Sequence, residues 1–207
     1  MIYLSDDYLN KYSDTLAYLI GRSYQEGYSF DYIEKNIAYS LAVDELEKSN
    51  ITLFAFSSME KIYNDIFPMN DNSYDFDPYD IFGWMGYAYI RLFLSLETTF
   101  EALFFLVPIQ EMLNLYNLYH EMDINQLINT VKEAMKHSLL DIVMKKKKIS
   151  NKELADKSSI SMSTISALRY GNRDINKLEA RKLLLLSQAL NVKMATLLPN
   201  INLSIYK

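Results

Sequence analysis

The chain has 207 residues, half of them hydrophobic, with only 5 Gly and 4 Pro, which is enough for one large or two small ordered domains. It has no cysteine, which excludes a disulfide frame, a zinc finger and a thiol nucleophile and fits a reducing, cytoplasmic setting. The net charge of −5 hides an asymmetry: residues 1–130 carry 6 Lys/Arg against 20 Asp/Glu, and residues 131–207 carry 15 against 6. A basic half suggests a nucleic-acid partner, and an acidic half should face away from it, towards another copy or another protein.

The start, MIYLSDDYLNKY, lacks a basic region followed by an apolar run, so no leader is expected. Asp6 to Glu26 reads as a first helix, with Leu9, Tyr12, Leu16, Leu19 and Ile20 on one face, acidic residues at its positive end and Gly27 as its stop. Ser29 is placed to cap a second helix, Phe30 to Lys48. Ile51 to Phe56 is a short β-prone run that fits either a strand or a buried helical turn. Ser57 or Ser58 starts another helix that stops before Pro68. Met69 to Tyr79 is an acidic, aromatic loop, either a solvated linker or a partner-binding or lid segment.

Asp80 to Leu94 is a nearly all-apolar helix in which Gly83 and Gly86 suggest close helix packing. Thr98 and Glu101 have capping-box spacing and open Thr99 to Leu106. Pro108 suits a first helical position before Ile109 to Tyr119, and Asp123 starts the helix that carries Leu127, Ile128 and Val131 inward. The apolar stretch Tyr87 to Ile109 is broken by Arg91, Glu97, Glu101 and Pro108, so it is not expected to span a membrane. The charge balance inverts near Thr130 without a Gly, Pro or Ser linker, which predicts a rigid join by one continuous helix through Lys136. Fifteen of the seventeen tyrosines precede residue 130. They fit a helical core with amphipathic edges, or a surface for self-association or for another protein.

The segment Ile149 to Gly171, ISNKELADKSSISMSTISALRYG, organises the basic half. Ser150 and Glu153 form a capping box for a helix from Asn151, and Ser161 is a second N-cap before Ile165 and Leu168 on one helical face. Gly171 is placed as the C′ stop. Two such short helices need flanking apolar helices, and Leu139 to Val143 and Leu183 to Leu190 supply them.

On Leu154-Ala155, Ile160-Ser161, Ser163-Thr164-Ile165-Ser166, Leu168 and Gly171, the segment resembles the helix-turn-helix of the phage Cro/cI repressor type, the xenobiotic-response-element family, over Ser138 to Leu198. It departs from the family at Ser159, where Gly is usual, at Arg169, where Glu is common, and in a longer loop after Gly171.

Capping and periodicity along the chain predict a mostly α protein. An acidic helical domain, residues 1–130, would serve dimerisation or partner binding, and residues 131–207 would form a five-helix lambda-repressor-like DNA-binding domain. In such domains the second helix of the motif enters the major groove by its N-terminal end. Transferred by position, Met162, Ser163, Ser166 and Ala167 would face base edges. Asn151 and Ser161 would hold phosphates at helix starts, and Lys145, Lys146, Lys147, Lys148, Lys152, Thr164, Arg169, Asn172 and Arg173 would add backbone contacts. The lysine run also ends a helix, where positive charge is favourable in any case. Met162 and Ala167 can only touch thymine methyls, so specificity should lean on DNA shape and on two copies binding together.

The implied function is a double-stranded-DNA-binding transcription regulator: a homodimeric repressor, or an autoregulating antitoxin holding its toxin on residues 1–130. The alternative is a protein–protein inhibitor or host-takeover factor whose helix-turn-helix controls only its own expression. No enzyme activity, cofactor or metal is expected. His120 and His137 are not at helical spacing for a metal, and Asp75, Asp77 and Asp80 lack the Gly and Glu of a calcium loop.

Overall fold

Twelve α-helices and two 3-10 turns, with no strand, make up the described residues of the computed structural model, which are 6–48, 57–68, 74–135 and 138–198. The run Ile51 to Phe56, the first part of the acidic loop (Met69 to Ser73), and Lys136 with His137 lie outside them.

The first core is built on α1 (Asp6–Gln25) and α5 (Ile81–Leu96), which lie against each other. Gly86 makes the approach possible, because a Cβ there would strike Ser13 O and Ala17. Gly83 plays a different part from the one its spacing suggested: its missing Cβ makes room for the Pro78 carbonyl of the preceding loop. In that loop Tyr74 and Phe76 pack edge-on against Tyr18 at 5.4 and 5.9 Å. Asp77 accepts the Tyr79 N–H at 2.8 Å, and Asp80 caps α5 through the N–H groups of Phe82 and Gly83.

Around this pair stand α2 (Phe30–Ala38), α3 (Leu41–Glu47), α4 (Met59–Ile66), α6 (Phe100–Leu106), α7 (Ile109–Tyr119) and α8 (Ile124–Ala134). The single helix expected over Phe30 to Lys48 is two. Ser40 accepts the Val43 N–H at 3.2 Å and starts α3 anew, a local side-chain bond that competes with helix continuation. Arg22, 2% exposed, is fully satisfied inside this core. It donates to Glu26 at 3.0 Å and to Tyr18 Oη at 2.9 Å and lies 4.3 Å from the Tyr63 ring centre.

The second core is formed by four α-helices, α9 (Leu139–Lys146), α10 (Asn151–Ser158), α11 (Met162–Arg169) and α12 (Ala180–Leu190), with 3-10 turns at Ile175–Lys177 and Met194–Leu197. The extra length after Gly171 buries Ile175 and Leu178 in that core.

The helix expected to run on through Lys136 ends earlier. The α8 helix stops at Ala134 with Met135 as its C-cap, and Ser138 stands at φ −55°, ψ 129° before α9. Val131 belongs to the first core and Leu140 to the second. On one unbroken helix they would point to opposite sides, about half a turn apart.

The two cores meet along a buried polar seam. Glu101, 6% exposed, accepts the Tyr39 hydroxyl at 2.5 Å through one oxygen, and the Lys193 N–H at 2.8 Å and the Thr196 hydroxyl at 2.5 Å through the other. The Lys193 ammonium pairs with Asp44 at 2.7 Å and Glu47 at 3.5 Å. Because Glu101 is turned to this seam, the capping box expected of Thr98 and Glu101 is absent. Thr99 caps α6 instead by accepting the Ala102 N–H at 3.1 Å. Pro108 is the N-cap of α7 rather than its first residue, and Glu34 from α2 accepts the Ile109 N–H at 2.6 Å.

Candidate nucleic-acid interface

The α10–turn–α11 unit forms as its local chemistry dictates. Ser150 accepts the Glu153 N–H at 3.2 Å and Glu153 accepts the Ser150 N–H at 2.8 Å, so the capping box is closed. The Ser150 N–H, and the Ser150 hydroxyl at 2.7 Å, donate to the Glu153 carboxylate and hold it below its ordinary range. Ser159 occupies the turn at φ 56°, a left-handed conformation that glycine adopts more easily. Ser161 caps α11 by accepting the Thr164 N–H at 3.3 Å, and its hydroxyl also bonds Ser163 Oγ at 3.1 Å and Thr164 Oγ1 at 2.9 Å. Gly171 has φ 74° just beyond the helix.

Residues 139–199 match the family model of the Cro/C1-type HTH DNA-binding domain.

That match covers under a third of the chain, at its C-terminal side. No curated protein and no solved structure matches the chain. The domain is that of a DNA-binding transcription regulator family, and it implies DNA as a partner.

Within this HTH domain, Ile165 and Leu168 turn α11 inward and are fully buried. At 100° per residue Ser163, Ser166 and Ala167 then lie on the outward side, with Met162, 56% exposed, at the leading end. Tyr170, 64% exposed, follows in the same row, three residues after Ala167 and seven after Ser163. Sequence reasoning passed it over, although that spacing was readable.

The cations divide into three groups. Lys148, Lys152 and Arg173 are exposed, as is Asn172 in the turn after α11. Lys145 and Arg169 are tied to Asp141, which is 6% exposed: Lys145 Nζ lies 2.7 Å from one oxygen and Arg169 Nε 2.6 Å from the other. Arg169 also donates to Asn151 Oδ1 at 2.8 Å, so one guanidinium links α9, the start of α10 and the end of α11. Burial pushes the Asp141 carboxyl upward, but the hydrogen bonds from Lys145 and Arg169 outweigh it and hold the group below its usual range. This ion pair gives the departure at Arg169 its partner.

Lys146 and Lys147 form the third group. Both line a cleft against the first unit, and Lys147 donates to Asn191 O at 3.3 Å and lies 5.6 Å from the Phe105 ring centre. No group of three or more His, Cys, Asp or Glu residues with metal-binding geometry occurs among the described residues, and none of their helices is long and apolar enough to cross a membrane. His120 stacks on Tyr116 at 4.4 Å between ring centres.

Proposed function

We propose that the protein is a sequence-specific transcriptional repressor that binds double-stranded DNA as a homodimer. Residues 131–207 contact the operator, and residues 1–130 hold the second copy or a protein partner. The observation that carries this reading is the outward row of Met162, Ser163, Ser166, Ala167 and Tyr170 on a capped helix whose inner side is locked by Ile165 and Leu168. Base edges fall to the first four of these residues. Phosphates fall to the N–H groups at Asn151 and Ser161, to Thr164, and to the exposed Lys148, Lys152, Asn172 and Arg173. Lys145 and Arg169 contribute their charge from the Asp141 cluster, and Lys146 and Lys147 contribute only field from the cleft side.

A role as an autoregulating antitoxin is consistent with this assignment, with a toxin on the first unit. An exposed aromatic surface favours protein binding there: Tyr24 stacks on Phe30 at 5.5 Å and Tyr32 on Tyr28 at 5.1 Å. The rival reading, an inhibitor of another protein that merely autoregulates, draws on the same surface. Fluorescence anisotropy of the full chain on DNA from upstream of its own gene, at physiological salt, tests the proposal. Affinity no greater than for random DNA overturns it, and sedimentation of the complex reads the number of chains bound.

A further inference from the structure

Beside the Glu101 seam the two units leave a cleft of about 620 Å³. Its apolar surface is Ala38, Phe104, Phe105 and Pro108, and Lys35 from α2, Lys146 at the end of α9 and its C-cap Lys147 stand around it. A cavity of this size where two units meet, with apolar walls and few convergent polar groups, has the form of a small-molecule site.

The charges on its walls are unequally engaged. Glu101 is fully occupied by the Tyr39 and Thr196 hydroxyls and the Lys193 N–H. Glu34 accepts the Ile109 N–H, and burial pushes its carboxyl up to about 7, so much of its negative charge is absent near neutral pH. Asp31, on the same wall, is exposed to solvent. By contrast the side chains of Lys35 and Lys146 make no hydrogen bond and no ion pair closer than 4.0 Å among the described residues, and both residues are exposed. Two exposed ammonium groups without a hydrogen bond or close ion pair, on the lining of a cleft that also holds Phe104 and Phe105, suit an anion with an apolar body.

We propose that this cleft binds a small organic anion, its acid group between Lys35 and Lys146 and its aromatic or other apolar body on Phe104 and Phe105. Lys35 belongs to the acidic unit and Lys146 to the DNA-binding unit, so the occupant ties the two together. An occupant that binds the joined units more tightly than separated ones strengthens the Glu101 joint and shifts DNA affinity only as far as DNA itself prefers the joined form. Only this last consequence rests on the DNA-binding reading.

The test is a titration of the full chain with 1-anilinonaphthalene-8-sulfonate, an aromatic sulfonate, read by fluorescence and by amide shifts. The expected result is saturation at one probe per chain, with shifts confined to the amides of Lys35, Tyr39, Phe105, Lys146 and Asn191. The double variant K35E/K146E should weaken binding by roughly tenfold or more, the scale of removing a charge-assisted hydrogen bond, with an unchanged melting temperature. The exposed control K152E/K157E should bind as the parent does. Equal affinity in the double variant, shifts centred elsewhere, absence of binding, or tighter binding of phenyltrimethylammonium each overturns the proposal. DNA affinity measured on the same parent chain keeps failure of this site distinct from failure of the repressor reading.

Discussion

Replacing Glu101 with Ala should uncouple the two cores. The substitution removes the acceptor of three donors, the Tyr39 hydroxyl, the Lys193 N–H and the Thr196 hydroxyl, although Thr196 keeps Thr99 Oγ1 at 3.2 Å and Tyr39 is 48% exposed. An unsatisfied buried polar group costs about 1–3 kcal/mol, so three would cost most of a small domain's stability if all stayed dry. The adjoining cleft admits water, which places the expected loss at about 3–5 kcal/mol, the range for removing one partner of a buried charged network. E101Q keeps the side-chain shape and one acceptor oxygen and should lose less than half of that.

The assay is urea unfolding with two probes. The single tryptophan, Trp84, packs against the first core, so its fluorescence reports that unit, whereas far-ultraviolet circular dichroism reports helices of both. In the parent the two curves should coincide. In E101A the midpoint should fall and the curves should separate as the smaller unit melts on its own. A loss below about 1 kcal/mol with coincident curves would refute the argument that this carboxylate joins the units.

Three further outcomes are expected. S163A/S166A should narrow the gap between operator and random DNA by about 1–3 kcal/mol for each base-edge hydrogen bond removed, leaving non-specific affinity and its salt slope unchanged in anisotropy titrations. E34Q should stabilise the protein at pH 8 but not at pH 5. The folded carboxyl is raised from 4.5 to about 7, so stability falls as pH rises through that window. The difference should be about 2–3 kcal/mol in urea melts at the two pH values, and a pH-independent effect would count against burial as the cause. S159G should raise stability by roughly 0.5–1 kcal/mol, read as an increase in melting temperature, since φ 56° is left-handed and strains a side chain.

The caps were the most legible part of the fold. Ser29, Asp123, Ser150 and Ser161 each accept from the first turn of the helix they were expected to start, and of Ser57 and Ser58 it is Ser58 that does so, because a cap is local chemistry between residues two or three apart. Errors arose where a distant residue competed for the same atoms. Glu101 had ideal capping-box spacing after Thr98, but residues 39, 193 and 196 took its oxygens, and Glu34 reached the N–H of Ile109 beside Pro108. The end of α8 at Ala134 was hidden for a related reason: the helical pattern continues, but successive turns serve different cores. At the interface, the outward and inward sides of α11 followed from periodicity. That Arg169 and Lys145 share Asp141, and that Lys146 and Lys147 look into a cleft, depends on how α9 lies against α11 and α6, which spacing does not encode.

The seam at Glu101 also bears on operator architecture. A reading head on a slack tether can follow half-sites moved along or around the duplex. A head fastened through Glu101, Lys193 and Thr196 keeps one orientation relative to the body that carries it. On the proposed dimeric reading, both heads on one operator then inherit a fixed separation and a fixed rotational phase from the body. Inserting about 5 base pairs between half-sites would turn the second one to the far side of the duplex, whereas inserting about 10 would restore its face but not its distance.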